Sequence, residues 1–185
     1  RSSDLYFVLP PNPNFDDIGI TAFSPTSYCL KPLMIWAPEL AHPDFFPLGV
    51  LKCPTCLSDS KVKSEGFNPH GPRMVYGQDD IFYIICKRYR CLNCNISYNG
   101  YCQEAVDLMP PHIAAELGVY ISHRSAVDLK VLKNLRVLMT NTPGISISAF
   151  RELMEENYVT SYFLKARDYY SRIRMAKSMM EGQGF

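Results

Sequence analysis

The sequence predicts an α+β protein. It has an extended, proline-rich N-terminal wrap over residues 1–49, a β region carrying four clustered cysteines over 50–105, and a helical part over 106–185. Three observations carry that reading. Prolines crowd the first segment, β-branched and aromatic residues lead into two paired-cysteine turns in the second, and apolar residues recur at helical spacing in the third. A chain of 185 residues can bury one core of ordinary size, so the three segments are read as one compact domain.

The wrap is inferred from Pro10-Pro11-Asn12-Pro13, Ser24-Pro25, Lys31-Pro32, Ala37-Pro38, Pro43 and Pro47. Proline at that density forbids a long helix or a central strand. Phe15, Phe23, Tyr28, Trp36, Phe45 and Phe46 nevertheless call for burial, which an irregular segment laid over the rest of the domain supplies. Met34-Ile35-Trp36 is expected to add an edge strand.

In the β region, Gly49-Val50-Leu51-Lys52 leads into Cys53-Pro54-Thr55-Cys56, and a strand from Ile81 to Tyr89 leads into Cys91-Leu92-Asn93-Cys94. Each Cys-x-x-Cys puts two thiolates on one tight turn. Four thiolates from two such turns form the closed tetrahedral shell that structural zinc prefers, with no position left open for a substrate. Zn2+ on Cys53, Cys56, Cys91 and Cys94 is therefore expected, in a zinc-ribbon-like β region. The 34 residues between the turns exceed the usual ribbon spacing, and Gly66, Pro69, Gly71, Pro72 and Gly77 mark turns within them. A hairpin through Arg73-Met74-Val75-Tyr76 is expected to pair with the Ile81 strand.

Other uses of these cysteines fit less well. A thioredoxin-like site needs a single Cys-x-x-Cys opening a helix. A secreted disulfide framework sits badly with seven cysteines, an odd count, and with no visible signal peptide. An iron–sulfur cluster takes the same four ligands and is the alternative. Cys29, Cys86 and Cys102 read as small buried hydrophobes; Cys86, on an extended strand, is expected to point away from Cys91.

The helical part opens at Pro110-Pro111, ahead of His112 to Leu117. Residues 126–139 place Val127, Val131, Leu135 and Leu138 on one stripe, and Asn141-Thr142-Pro143-Gly144 ends that helix. Ser146 or Ser148 caps a second helix with Ile147, Phe150, Met154 and Tyr158 on one face. A third run, about 160–180, carries Lys165, Arg167, Arg172, Arg174 and Lys177.

Net charge is +1, but it is unevenly spread: two basic and five acidic residues in 1–49, ten basic and six acidic in 120–185. Lys87-Arg88-Tyr89-Arg90 runs into Cys91, and cations interleaved with an aromatic suit phosphate contact plus base stacking. A solvated strand face is the plainer account of the same residues. The helix–turn–helix outline over 127–158 reads as ordinary packing, because Glu152, Glu155 and Glu156 would repel phosphates. His123-Arg124-Ser125 has no evident catalytic partner, and Asp79-Asp80 reads as a turn. No phosphate-cradling glycine loop or dinucleotide fingerprint occurs, so no catalytic residues are assigned. No apolar run is long enough to span a bilayer, and no membrane partner is expected. The chain begins at Arg1 and is read as part of a longer protein.

An ordered set of landmarks runs through Ile35-Trp36-Ala37-Pro38-Glu39, Cys53 to Cys56, Gly66-Phe67, Arg73 to Tyr76, Tyr83 to Cys94, Leu108-Met109-Pro110 and His123 to Asp128. It resembles an uncharacterised zinc-binding domain family of eukaryotic transposon-derived proteins, of the Kyakuja-Dileera-Zisupton transposase-like type. The resemblance covers about residues 30–170, with Phe67 where similar sequences favour Trp. It implies a zinc-binding region that accompanies a separate nuclease-like domain, and it supports zinc on the same four cysteines. The resulting expectation is a non-catalytic zinc module inside the cell, in the nucleus. It would bind DNA rather than RNA through Lys87, Arg88, Tyr89 and Arg90. The alternative is a protein-interaction or assembly module that docks a neighbouring domain of the same longer protein.

Overall fold

The structure, a computed structural model, describes residues 7–8, 31–122, 125–141 and 146–182. Its spine is β5, Ile81–Cys91, the longest strand and the one richest in β-branched and aromatic residues. The first half of β5 lies between β2 (Leu33–Trp36), which runs parallel to it from Leu33↔Tyr83 to Trp36↔Cys86, and β4 (Arg73–Tyr76), which forms the expected hairpin with it. The second half lies between β3 (Val62–Phe67) and β6 (Ser97–Asn99), both antiparallel. One strand thus serves two ladders.

The Met34–Trp36 strand is internal rather than at an edge, because β1 (Phe7–Val8) pairs with its other side. On the far side of β4, β8 (Ala126–Asp128) runs parallel to it, and β7 (Val119–Ile121) closes the row. Residues 126–128, expected to begin a helix, are therefore strand. A parallel neighbour in β4 satisfies their backbone groups, and local helical spacing does not reveal that partner. Of the wrap expected over 1–49, residues 1–6 and 9–30 lie outside the described residues. Of its aromatics within the described part, Trp36 is buried while Phe45 is half exposed.

Helices are short around the sheet: α1 (Pro38–Ala41), α2 (Gln103–Val106) and α3 (Pro111–Glu116), the last opened by proline as expected. Helix α4 (Leu129–Asn141) buries Val131 and half-buries Leu135 and Leu138, the stripe read from the sequence. The two helices expected beyond it are one, α5 (Ile147–Gly182), 36 residues long. Ser146 caps it, accepting a hydrogen bond from Ala149 N at 3.1 Å. Nothing in Val159-Thr160-Ser161 breaks a helix, so it continues. Phe150 is buried on its inner face, but Ile147, expected on that face, is exposed.

The core gathers on β5. Ile84, Cys86, Tyr89 and Cys91 are fully buried with Trp36, Leu51, Val75 and Ile113. The inward set changes from even to odd positions midway, where β5 passes from one ladder to the other. Cys86 is therefore inside, as is Cys91, and not on the opposite face; burial pushes its thiol up to about 12. Trp36 Nε1 donates to Gly100 O at 3.0 Å, and Tyr98 Oη to Leu51 O at 2.7 Å. A Cβ on Gly100 would lie 3.2 Å from the Tyr89 ring and 3.3 Å from Lys87 O, a tight fit that glycine avoids.

One ion pair sits in this core. Lys87 Nζ lies 2.8 Å from Glu39 Oε1, and the Glu39 carboxylate is wholly buried. Tyr89 is beside it; burial first, then the Glu39 charge, hold its hydroxyl protonated well above the ordinary range. Removing one partner strands a buried charge, which typically costs about 3–5 kcal/mol, whereas replacing both by apolar groups is often neutral. Lys87→Met should therefore lower the urea-unfolding free energy of the metal-loaded protein by several kcal/mol, and Glu39→Leu with Lys87→Met should recover most of the loss. Equal stability of Lys87→Met and the parent would contradict this account.

Candidate metal centre

Two loops of the same shape carry the cysteines. In the first, Cys53 N donates to Ser58 O at 2.9 Å, and Leu57 has a left-handed backbone with φ 58. In the second, Cys91 N donates to Ile96 O at 2.9 Å, and Asn95 has φ 57. Both loops close by the same hydrogen bond five residues on, and both need a left-handed residue at the fourth step. Asparagine tolerates that conformation; leucine does so at a cost. Leu92 N donates to Lys61 O at 2.8 Å, which ties the second loop to the entry of β3.

The loops face each other and bring all four Sγ atoms within 4.8 Å of one another. The contacts run crosswise, Cys53 to Cys94 at 3.4 Å and Cys56 to Cys91 at 3.5 Å. A tetrahedron with metal–sulfur bonds of about 2.3 Å has edges of about 3.8 Å, so this cluster fits one cation with little adjustment. Cys53 and Cys91 are fully buried, and Cys56 and Cys94 lie nearer the surface.

The thiols of the cluster also shift one another. The Ser58 backbone N–H and the Asn93 side-chain amide, helped by Cys91, pull the Cys56 thiol down to about 6. Burial and contact with the Cys53 and Cys91 thiols push Cys94 up to about 12. Four thiolates this close cannot all be charged unless a positive ion sits among them. Burial and then the charges of Cys53 and Cys91 raise the Tyr98 hydroxyl as well, which marks the same negative field. Asn93 is a contributor that the cysteine pattern alone does not reveal. An amide at the third position of the second turn is the signal for it.

The other sequence-selected residues fall elsewhere. Tyr89 is 1% exposed and stacks on Tyr98 with ring centroids 5.6 Å apart, so the expectation that it stacks on a base is corrected. Lys87 turns inward to Glu39 and is likewise withdrawn from the surface. Both follow from the odd positions of this half of β5 facing the core. Arg88 and Arg90 lie on the outer face, at 3.4 and 3.9 Å from the Glu65 carboxylate, and Arg90 also donates to Asn95 Oδ1 at 2.8 Å. Lys63, not singled out from the sequence, stands opposite Arg90 in the ladder and is exposed.

Asp79-Asp80 forms the β4–β5 turn, where Gly77 N donates to Asp80 O at 3.1 Å. Burial alone would raise the Asp80 carboxyl, but hydrogen bonds from Lys165 and Lys31 outweigh it and hold it below the usual range. Asp80 is thus a clasp between β5 and α5. Cys102 is half-buried, and burial raises its thiol. Cys29, His123 and Arg124 lie outside the described residues; Ser125 is hydrogen-bonded to Ser122.

These features define a class: a mixed α+β domain whose sheet is closed at one end by a four-cysteine cluster able to hold a metal ion. A family model described as a domain of unknown function (DUF6729) matches residues 5–184, and the chain belongs to that family. No curated protein and no solved structure matches it. Among the described residues, no helix is long and apolar enough to cross a membrane.

Metal analysis should return one ion per chain, and Cys53→Ser or Cys94→Ser should sharply reduce it. A folded protein with reduced thiols and no bound metal would refute the assignment. Chelation should first raise amide exchange in β3, β6 and both cysteine loops, because the metal closes those loops. Protection in α4 should outlast theirs.

Leu57 tests the loop geometry. Its side chain is 60% exposed, so little packing is lost on substitution. Leu57→Asn should raise stability by roughly 0.5–1 kcal/mol by relieving the left-handed strain. A drop in the denaturation midpoint would mean that the leucine side chain itself holds the loop.

Proposed function

We propose that this domain is a non-catalytic zinc module, zinc-ribbon-like around its metal, that contacts the phosphate backbone of DNA. The observation that carries the reading is the outer face of β3 and β5. There Lys63, Arg88 and Arg90 stand together beside the cysteine loops, with the Glu65 carboxylate between the two arginines. Guanidinium groups grip phosphate oxygens in bidentate fashion, and a backbone closed by a metal holds them without further ordering cost. With Tyr89 in the core, the reading rests on phosphate contact without base stacking. Such contact is blind to sequence and sensitive to salt. Zinc is chosen for the donor set of four thiolates, since it would supply charge and rigidity with no open coordination position. Nuclear location and descent from a transposase-like protein belong to this proposal; the ordered landmarks from Ile35 to Asp128 support the descent.

A second reading, an assembly module, draws on a different observation: α5 leaves Val159, Tyr162, Phe163 and Tyr170 exposed. The two surfaces are separate, and one protein can use both.

Titration of the zinc-loaded chain with duplex DNA at several salt concentrations tests the first reading. Arg88→Ala with Arg90→Ala should weaken binding to unrelated sequences alike and lower the log–log salt slope by roughly one unit per lost contact. Glu65→Gln should strengthen binding by freeing both arginines. Unchanged affinity in both variants at low salt would remove this face from the proposal.

A further inference from the structure

Helix α5 carries a pattern that the metal centre does not explain. Val159, Tyr162, Ala166, Tyr169 and Ile173 follow one another at spacings of three, four, three and four. That is the repeat of a coiled-coil seam. Helices facing a globular core usually bury such a row. Here Val159 is 47% and Tyr162 60% exposed, while Ala166, Tyr169 and Ile173 are half-buried. Flanking them, Phe163 is 64% and Tyr170 68% exposed. Tyr158, which donates to Gly77 O at 2.7 Å, and Lys165, paired with Asp80, hold a neighbouring face of the helix to the sheet. Tyr162, Ala166 and Tyr169 of the row line an open cleft of about 260 Å³, together with Tyr158 and Lys165, and its other wall is Lys31, Asp80 and Ile81.

Charge along the same helix is segregated. Glu152, Glu155 and Glu156 crowd its first turns, with Arg151 among them. Lys165, Arg167, Arg172, Arg174 and Lys177 follow, with Asp168 as the acidic exception up to that point. A helix acidic at one end and basic at the other is complementary to itself only when reversed.

We propose that α5 pairs antiparallel with α5 of a second copy of this chain along the Val159–Ile173 row. Charge sets the register. The midpoint between the three glutamates and the basic group Arg172, Arg174 and Lys177 falls at about Leu164. A two-fold axis at Leu164 also puts Val159 opposite Tyr169 and Tyr162 opposite Ala166, and it sets Ile173 opposite Glu155. Charge selects this axis among those the seam allows, and the contact is isologous, as a closed dimer requires. Each acidic turn then lies over the basic end of the other helix. This inference goes beyond the nucleic-acid reading and does not depend on it.

Sedimentation equilibrium of the full, metal-loaded chain should give twice the chain mass at micromolar concentration. Tyr162→Asp with Phe163→Asp, both at exposed positions, should give the monomer mass with unchanged metal content and helix signal. Direction is read by oxidation: a mixture of Glu155→Cys and Ile173→Cys chains should form the mixed disulfide far more readily than either variant links to itself. Glu155→Lys with Glu156→Lys should weaken the dimer at least tenfold, and adding Arg172→Glu with Arg174→Glu should restore it. A parent protein that is monomeric at every concentration overturns the proposal. So does a dimer that survives Tyr162→Asp with Phe163→Asp, and so does preferential self-linking, which marks a parallel pair.

Discussion

Strand β5 is the constraint on which the rest of the structure depends. Among the described residues it is the one element hydrogen-bonded to four others: β2 and β4 along its first half, β3 and β6 along its second. A strand shared by two ladders must keep its backbone extended through the handover, and its final residue, Cys91, is also a metal ligand candidate. The cysteine cluster therefore acts on more than two local loops. It pins the end of the strand that organises the core. Without it the short partners β3 and β6 would be held by their own ladders and by the buried side chains of Val62 and Tyr98.

The handover also decides which charges are available. Along the second half of β5 the odd positions face inward, which sends Lys87 to Glu39 and Tyr89 to Tyr98. The even positions, Arg88 and Arg90, face solvent beside Lys63. A run of four residues that looks like one basic patch in the chain is thus split between a buried ion pair and a surface pair. Only the surface pair is available to a ligand. The buried pair has a structural role, since desolvated charges are tolerated only when matched.

Helix α5 answers to different physics. It is clasped to the sheet near its middle, through Tyr158 and the lysine–aspartate contacts of Asp80, and it continues well past that clasp. A helix of 36 residues spans roughly 54 Å, longer than a domain of this size needs to cover its own sheet. Its exposed Tyr162, Phe163 and Tyr170 and the opposed charges at its two ends are the observations on which the proposed pairing with a second copy rests.

Much of this was legible in the residues alone. The α+β class, the four-cysteine cluster, the Arg73–Tyr76 hairpin, the proline start of α3 and the inward stripe of α4 all follow from local pattern. Spacing, propensity and capping act over a few neighbours, and those are visible in a sequence. Asn95 in a left-handed turn is of that kind; Leu57 in the matching turn is not, because nothing local favours it there. Only the tertiary structure decided that residues 126–128 are strand, that Met34–Trp36 is internal, that Glu39 is a buried carboxylate and that Tyr89 lies in the core. Each of those outcomes depends on a partner distant in the chain, and on which face of β5 turns inward after it changes ladders. That choice is made by packing.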